Sequence, residues 1–256
     1  MLTSQRKLIL LDLLRQDGKI VAKSAALRLD VSEDTIRRDL RELAGDGLLQ
    51  RVHGGALPAS PAMADFAARQ HIAVDDKSAI GRAAALLIQP GQVVFIDGGT
   101  TSAQLVRHLP PDLRATVVTH SPSVAVDLVA HPTIEVIMLG GRLFKHSVVG
   151  VGSATVEAIR QVRADLYFMG VCSVHPEAGL STGDFEEAGV KRALSAAAAE
   201  TIVLASPEKL ATASPYQVIP LDELSGLVTM DSVPEELLAP YRKRGITIHL
   251  AQADAL

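Results

Sequence analysis

Along the first fifty residues, stretches with helical spacing of apolar positions alternate with single breaks. Over residues 4–16 Leu8, Leu11 and Leu14 recur at three-residue steps, with Leu10 beside them, and Asp17-Gly18 ends the run. This predicts an amphipathic helix with a glycine stop. Ile20-Val21 leads into a two-turn helix over 22–29 that offers Ala25, Ala26 and Leu29 for burial. After Leu29-Asp30-Val31, Ser32 can cap a third helix over 33–44, whose first turn carries Glu33 and Asp34 where the dipole favours acid. In that helix Ile36, Leu40 and Leu43 share one face, while Thr35, Arg37, Arg38 and Arg41 project from the other. Asp39 sits at the edge of the apolar stripe, as a structural ion-pair partner would. Residues 48–52 read as a strand, and His53-Gly54-Gly55-Ala56 as a tight turn in which glycine permits positive φ. Three short helices followed by a hairpin read as a winged helix-turn-helix.

Beyond Leu57 the period changes. Residues 57–61 contain two prolines and no periodicity, as a linker would, and 66–87 read as helical with a break near Val74-Asp75. Short apolar runs at 93–96, 116–118, 134–139, 166–169, 202–204, 227–229 and 246–249 then alternate with amphipathic stretches at 102–108, 122–130, 153–162, 184–200 and 234–242. Nearly continuous apolar strands alternating with helices predict a mainly parallel α/β sheet covered on both faces. The expected division is a head over 1–57, a linker and connecting helix over 58–74, and an α/β body over 75–256.

Charge divides along the same line. Residues 1–57 carry 10 Lys and Arg against 8 Asp and Glu, and the remaining 199 residues carry 15 against 21. A mildly basic head on an acidic body suggests that only the head meets a polyanion. Aromatic residues make up 3% and Trp is absent, which argues against stacking platforms for single-stranded nucleic acid. The single cysteine, Cys172, excludes a disulfide framework and a Cys-based zinc ribbon and fits a reducing compartment. It reads as a small buried hydrophobe. No uncharged run reaches the roughly 20 residues of a membrane helix, and residues 1–14 lack the apolar core of a signal peptide. The expectation is a soluble, cytoplasmic protein.

A basic face on a short helix is often merely solvated. Here a wing follows it, and Arg in a major groove can bind guanine in a bidentate manner while Ser32 or Thr35 serves a phosphate or base edge. Arg51 and His53 on the wing can reach the backbone. In the body, ligands are expected beyond the carboxyl ends of the strands. The first strand ends in Asp97-Gly98-Gly99-Thr100-Thr101 and opens a helix, so backbone N–H groups, two hydroxyls and the helix dipole converge where an anion can sit. No lysine follows as in a Walker loop. Thr119, His120 and Ser121 close the second strand, Gly140-Gly141-Arg142 the third, and Gly170 the fourth, with Lys191 and Lys209 after the fourth and fifth. These positions predict a pocket for a small phosphorylated polyol.

These residues resemble a known family. Ser32-Glu33-Asp34-Thr35-Ile36-Arg37-Arg38-Asp39-Leu40, followed by Leu48, Arg51 and His53-Gly54-Gly55-Ala56, looks like the winged helix-turn-helix of DeoR-type bacterial transcription regulators. The resemblance implies that Thr35, Arg37, Arg38 and Arg41 contact double-stranded operator DNA. Phe95-Ile96-Asp97-Gly98-Gly99-Thr100-Thr101, Val118-Thr119, Leu139-Gly140-Gly141, Phe168-Met169-Gly170, Gly179-Leu180-Ser181 and Glu187 with Lys191 look like that family's sugar-phosphate-sensing domain, whose fold is similar to ribose-5-phosphate isomerase. Two positions depart from the family pattern. His120 stands where asparagine is common, and Ser206-Pro207-Glu208 precedes Lys209 where an aspartate is common. The implied protein is a repressor of a carbohydrate operon, controlled by a phosphorylated sugar and acting as a homodimer or homotetramer, because paired half-sites need paired heads.

Two enzymatic readings compete. A sugar-phosphate isomerase needs a carboxylate and a general acid, which Asp165, Glu187 and Lys191 could supply by type. Asp165, however, precedes its strand's core and is expected to cap or pair structurally, and the head has no use in an isomerase. Gly179-Leu180-Ser181-Thr182-Gly183 formally matches a nucleophile elbow but follows His175-Pro176-Glu177-Ala178, a loop where the mechanism needs a strand. The histidines His71, His108, His120, His131, His146, His175 and His249 lack zinc-ligand spacing, and no metal or cofactor is expected.

Overall fold

The computed structural model describes residues 1–61 and 65–253. In the head, α1 (Thr3–Asp17), β1 (Ile20–Val21), α2 (Ala22–Leu29), α3 (Glu33–Gly45), β2 (Gln50–Val52) and β3 (Gly55–Leu57) enclose one small core. Leu10, Leu14, Ile36, Leu40, Leu43 and Leu49 fill it. The strands form a three-stranded antiparallel wing in the order β1-β3-β2. Ser32 Oγ accepts from Thr35 N at 3.2 Å and caps α3. α1 turns a different edge inward than its leucine spacing predicts. Leu10, Leu13 and Leu14 are buried, Leu11 is half-buried, and Leu8 is 64% exposed. The cause is Arg6, also buried, whose guanidinium forks onto the buried Asp39 of α3 and fixes the rotation of α1.

The expected linker is a docked strap. Leu57 belongs to β3 and is buried, Pro58 O accepts from Ala213 N at 3.0 Å, Ala59 bridges Ala213, and the buried Ser60 donates to Cys172 O. Prolines there remove donors that would otherwise need partners, so the segment lies against the body at little cost. The break expected near Val74-Asp75 in the helical stretch 66–87 is present: α4 (Phe66–Arg69), capped by Asp65, and α5 (Val74–Ala85) are parted by Ala73 at φ +48°.

From Val93 the chain runs β4 (Val93–Ile96), α6 (Thr100–Arg107), β5 (Thr116–Thr119), α7 (Pro122–Leu128) and β6 (Glu135–Met138). There follow β7 (Arg142–Phe144), β8 (Val149–Val151), α8 (Ser153–Arg160), β9 (Ala164–Gly170), β10 (Ser173–His175), β11 (Gly179–Thr182), α9 (Phe185–Ala196) and β12 (Ala198–Leu204). The chain closes with β13 (Tyr216–Gln217), β14 (Gly226–Met230), α10 (Glu235–Arg242) and β15 (Thr247–Ala251). Seven strands form one wholly parallel sheet in the order β15-β14-β12-β9-β4-β5-β6. Consecutive residues of its central strands, Phe95 and Ile96 on β4 and Tyr167, Phe168 and Met169 on β9, are buried, so both faces are covered. Asp165 accepts from Val93 N at 2.8 Å and ties the amino ends of β9 and β4, a structural role.

One expectation fails here. The helix expected over 184–200 ends at Ala196, and the alanine tract crosses into β12, where Ala198 pairs with Ala164 and Glu200 with Leu166. Sheet pairing overrides the helix preference of alanine, which is a weak prior. The loop expected ahead of Gly179 is a turn over 176–178, with His175 closing β10, and Ser181 lies in β11, paired with Ser173 on β10 and Gln217 on β13. A serine in a regular ladder cannot adopt the strained turn of a nucleophile elbow. No helix among the described residues is long and apolar enough to cross a membrane.

Candidate functional site

The parallel sheet has one switch point. From β4 the order runs outward through β5 and β6, and from the neighbouring β9 through β12, β14 and β15. The carboxyl ends of β4 and β9 therefore open a crevice, where ligands of such sheets bind. The loops after these strands, Gly98 to Ser102 and Gly170 to Cys172, line a cleft there. A Cβ on Gly98 would stand 2.2 Å from Val149 Cγ1, so only glycine fits. Gly99, at φ +134°, turns the chain into α6 and leaves its Cβ position open to the cleft. No side chain caps α6. The hydroxyls of Thr101 and Ser102, 3% and 1% exposed, have no hydrogen-bond partner among the described residues and line the same cleft. An uncapped helix terminus beside two unsatisfied buried donors suits an anion.

The remaining wall is charged. Arg69, Lys77, Lys191 and Lys209 line it together with Glu187 and Glu208. The cations are not equivalent. Lys191 Nζ is held by Asp97 Oδ2 at 2.5 Å, Gly170 O at 2.7 Å and Glu187 Oε1 at 3.3 Å. Lys77 Nζ donates to Arg69 O at 2.7 Å and to Ile72 O. Lys209, 7% exposed, has no partner for its ammonium among the described residues, and burial pulls its pKa down to about 8. It is the uncommitted buried cation of the site.

Beneath the cleft lies Asp97, wholly buried at the end of β4. Besides Lys191 it accepts from Gly98 N and His120 Nε2 at 2.8 Å, and from Gly170 N and Tyr167 Oη at 3.0 Å. Burial alone would raise its carboxyl, but Lys191 and His120 overrule that and hold it well below the ordinary carboxylate range. Burial likewise opposes the charge of Lys191, yet Asp97 and Glu187 raise its pKa. Tyr167 is pushed up by burial and by Asp97. His120 spans the site, its Nδ1 2.8 Å from Gly150 O.

The expected effector residues thus fall into three groups. Gly98, Gly99, Thr100, Thr101, Gly170, Lys191 and Lys209 line the cleft. Asp97, Thr119 and Ser121 brace it from behind: Thr119 Oγ1 donates to Ile96 O at 2.7 Å, and Ser121 Oγ lies 3.2 Å from Val148 O. Gly140 and Gly141 pack against α8, with Thr155 Oγ1 donating to Gly140 O at 2.7 Å. Arg142 is a correction. It opens β7 with its side chain 64% exposed, and it pairs with Glu186 outside the cleft. Its strand leaves the parallel sheet to form a hairpin, which carries the side chain away from the rim. Cys172 is a second correction, since it is half-buried and lines the cleft where a core position was expected. Sequence reasoning missed Arg69, Lys77 and Thr182, which come from the strap-side helices and β11 and carry no local signal.

On the head, Arg37, Arg38, Arg41, Arg51 and His53 are exposed. Arg37 is paired with Glu33 at 2.7 Å, whereas Arg38, Arg41 and Arg51 have no partner among the described residues. Thr35 Oγ1 lies 2.9 Å from Ser32 Oγ at the start of α3. Arg37, Arg51 and His53 line one groove between α3 and the wing.

A winged head with an exposed cationic face, joined to a sheet domain whose cleft carries unpartnered buried donors, is the architecture of a ligand-responsive DNA-binding regulator. Comparison with known proteins agrees. The DeoR-like helix-turn-helix domain matches residues 6–61, and the DeoR C-terminal sensor domain matches residues 72–231. The HTH-type transcriptional regulator GlpR of Haloferax volcanii is 32% identical over 251 residues, covering 97% of this chain and 98% of that protein. The HTH-type transcriptional repressor GlcR of Bacillus subtilis is 31% identical over 257 residues, covering 99% and 98%. Among solved structures, ribose 5-phosphate isomerase A of Methanocaldococcus jannaschii overlaps 52% of each chain at 18% identity and a TM-score of 0.39. The chain belongs to the DeoR family of transcriptional regulators. It is a DNA-binding regulator and not an enzyme.

Proposed function

We propose that this regulator represses a carbohydrate-metabolism operon from the cytoplasm and releases its operator when a phosphorylated sugar fills the cleft. The observation that carries the effector assignment is the convergence of the uncapped α6 terminus, the unpartnered Thr101 and Ser102 hydroxyls and the uncommitted Lys209 ammonium on one space. A phosphate ester supplies a dianion with three acceptor oxygens for those donors. Gly98, Gly99 and Thr100 offer the terminus itself, and Asp97, Thr119, Ser121 and Gly170 hold its shape. Lys191 acts as a positioning residue, its amine committed to Asp97 and Gly170.

For the DNA, α3 enters the major groove with Arg38 and Arg41 toward base edges, while Ser32, Thr35 and Arg37 at its start and Arg51 and His53 on the wing meet phosphates. One head makes few contacts, so a homodimer or homotetramer places two heads on half-sites about one helical turn or a multiple apart. Arg38→Ala lowers specific operator affinity by about 1–3 kcal/mol. A gel-shift titration on duplex from the regulator's own promoter region reads the change, and unchanged affinity removes Arg38 from base reading.

Coupling follows from the strap. Ser60 donates to Cys172 O on the cleft wall, and Arg69 of α4 lines the cleft, so the segment leading from the wing is part of the site's boundary. A ligand that shifts this wall shifts the heads, and a coupling of ~1–3 kcal/mol changes operator affinity about 5–150-fold.

Lys209 gives a direct test of the anion. Its pKa of about 8 in the free protein rises when a dianion sits beside it, so at pH values above about 8 binding takes up a proton on this side chain. Affinity accordingly falls as pH rises through that window. Calorimetry at pH 8.5 in two buffers of different ionisation enthalpy measures the uptake with a sugar phosphate, and Lys209→Met abolishes it. Equal uptake in wild type and variant would show that the phosphate lies elsewhere.

A further inference from the structure

Among the described residues Phe185 and Tyr216 are the two exposed aromatic rings, at 65% and 39%, and they touch, with centroids 5.8 Å apart. Every other phenylalanine and tyrosine is buried or half-buried. Phe185 opens α9, and Tyr216 lies in β13, an edge of the sheet β10-β11-β13. A large ring left in water forgoes the gain of burial, whereas a ring at the centre of a protein interface is among its strongest anchors.

The outward face of α9 is shaped to receive such a ring. Glu187, Ala188, Val190, Lys191 and Leu194 turn inward and are buried, while Phe185, Gly189 and Arg192, at i, i+4 and i+7, share the opposite side. Gly189 answers no need within the chain. Its φ is not positive, and a Cβ on it would meet only Arg192 Nη2 among the described residues, at an ordinary 3.8 Å. Glycine is among the poorest helix formers, so its place in mid-helix fits a position where a second surface comes close. A projecting ring and a missing side chain one turn apart complement each other across a two-fold axis. Two copies of α9 packed antiparallel set each Phe185 on Gly189 of the other, the reciprocal contact of an isologous interface.

Charge points to the same occupant. Asp184 and Glu186 stand at the amino end of α9, and Arg192 about two turns further on. Antiparallel pairing brings each Arg192 to the acidic end of the other helix and opposes the two helix dipoles. Arg192 Nη1 donates to Gln217 O at 2.6 Å, which holds the guanidinium on this face with donors to spare. Arg142, paired with Glu186, adds a second cation at the rim. A partner of one sign, such as a nucleic acid, would meet charges of both.

Resting on the proposal that two copies act together, we infer that the outward face of α9 pairs with the same face of a second copy, Phe185 of each seated on Gly189 of the other. Tyr216 and Arg192 border the contact.

Sedimentation velocity of the full chain over a micromolar concentration series tests this. The wild type is a dimer or a tetramer. Phe185→Ser and Gly189→Gln each halve the assembly or weaken it about tenfold or more, as expected when a central anchor or the space it fills is removed. Gly189→Gln is the sharper of the two, since glutamine favours the helix and only the assembly suffers. The circular dichroism of both variants matches that of the wild type. Assembly like the wild type's in both variants overturns the inference and leaves the pairing to another surface. Ellipticity lost in step with assembly in both overturns it as well, because the defect is then one of folding. A wild type that stays monomeric removes the paired regulator itself, and this interface with it.

Discussion

Asp97→Asn lowers the stability of the sheet domain by about 3–5 kcal/mol, the cost of leaving one partner of a buried pair without its counter-charge. The substitution keeps the shape of the side chain, removes the charge that faces Lys191, itself 1% exposed, and turns one of two accepting oxygens into a donor facing other donors. Glu187, at 3.3 Å, compensates in part. At ~2–4 °C per kcal/mol for a domain of this size, the melting transition falls by roughly 10 °C. The double variant Asp97→Asn/Lys191→Met recovers part of the loss, because it leaves no uncompensated ammonium, although Glu187 then loses its own counter-charge. The pH dependence has a definite sign. Asp97 has a depressed folded pKa, so its contribution is present above the ordinary carboxylate range of about 4 and is lost as pH falls through the folded value. Lys191 has a raised folded pKa, so its contribution is present below about 10.4 and is lost as pH rises through the folded value. The contribution of the pair is thus complete and nearly constant between about pH 5 and 10. Thermal melts across that range read the effect, and a shift of only a degree or two in Asp97→Asn would show that the pair does not hold the domain together.

The head was nearly all legible from sequence because its information is local. Ser32 three residues ahead of Thr35 is a cap wherever a helix follows, and Ile36, Leu40 and Leu43 define a face at 3.6-residue spacing without reference to the rest of the chain. Even Asp39 was readable as a structural partner, although the partner, Arg6, lies 33 residues away. The one misreading, Leu8, arose because several registers of leucine fit one helix and a long-range ion pair chose among them. The parallel strands were legible for the same reason, since each is a continuous apolar run. Their spatial order was not, because every one of them is apolar and nothing in the run says which neighbour it takes.

The short antiparallel strands escaped. β7, β8, β10, β11 and β13 hold two to four residues each, and β11 is buried throughout, so no alternation marks it. That omission explains both errors at the rim. Without the β7–β8 hairpin, Gly140-Gly141-Arg142 looks like one more strand end facing the crevice. Without β10 and β11, Cys172 looks like core. Arg69 and Lys77 were invisible for another reason. They reach the cleft because the strap docks on the body, and docking depends on backbone groups of Pro58 and Ala213 that carry no side-chain signature. The loop after β4 needed none of this, because glycines and hydroxyls between an apolar strand and a helix state their geometry in five residues.

That loop is where a single substitution silences the regulator's response. Gly99→Asp weakens effector binding on the order of 10³-fold and leaves operator binding intact, giving a repressor that no longer releases. A Cβ at position 99 meets nothing within 4 Å, so the new side chain is accommodated in the cleft and not forced into the core. The backbone is less tolerant, since φ +134° suits glycine alone and costs ~1–3 kcal/mol for another residue. The carboxylate then lies against the N-terminus of α6, where the helix dipole favours it, and occupies the position proposed for phosphate. A like charge about 4 Å away opposes a bound phosphate by about 4 kcal/mol per unit charge at the effective dielectric of protein sites. Gly99→Ala carries the same strain without the charge, and so separates the two effects: it retains release at raised effector concentration, whereas Gly99→Asp does not. Operator titrations with and without sugar phosphate read both. Should Gly99→Asp respond to effector like the wild type, the phosphate does not sit at the terminus of α6, and the anion site must be sought elsewhere on the rim.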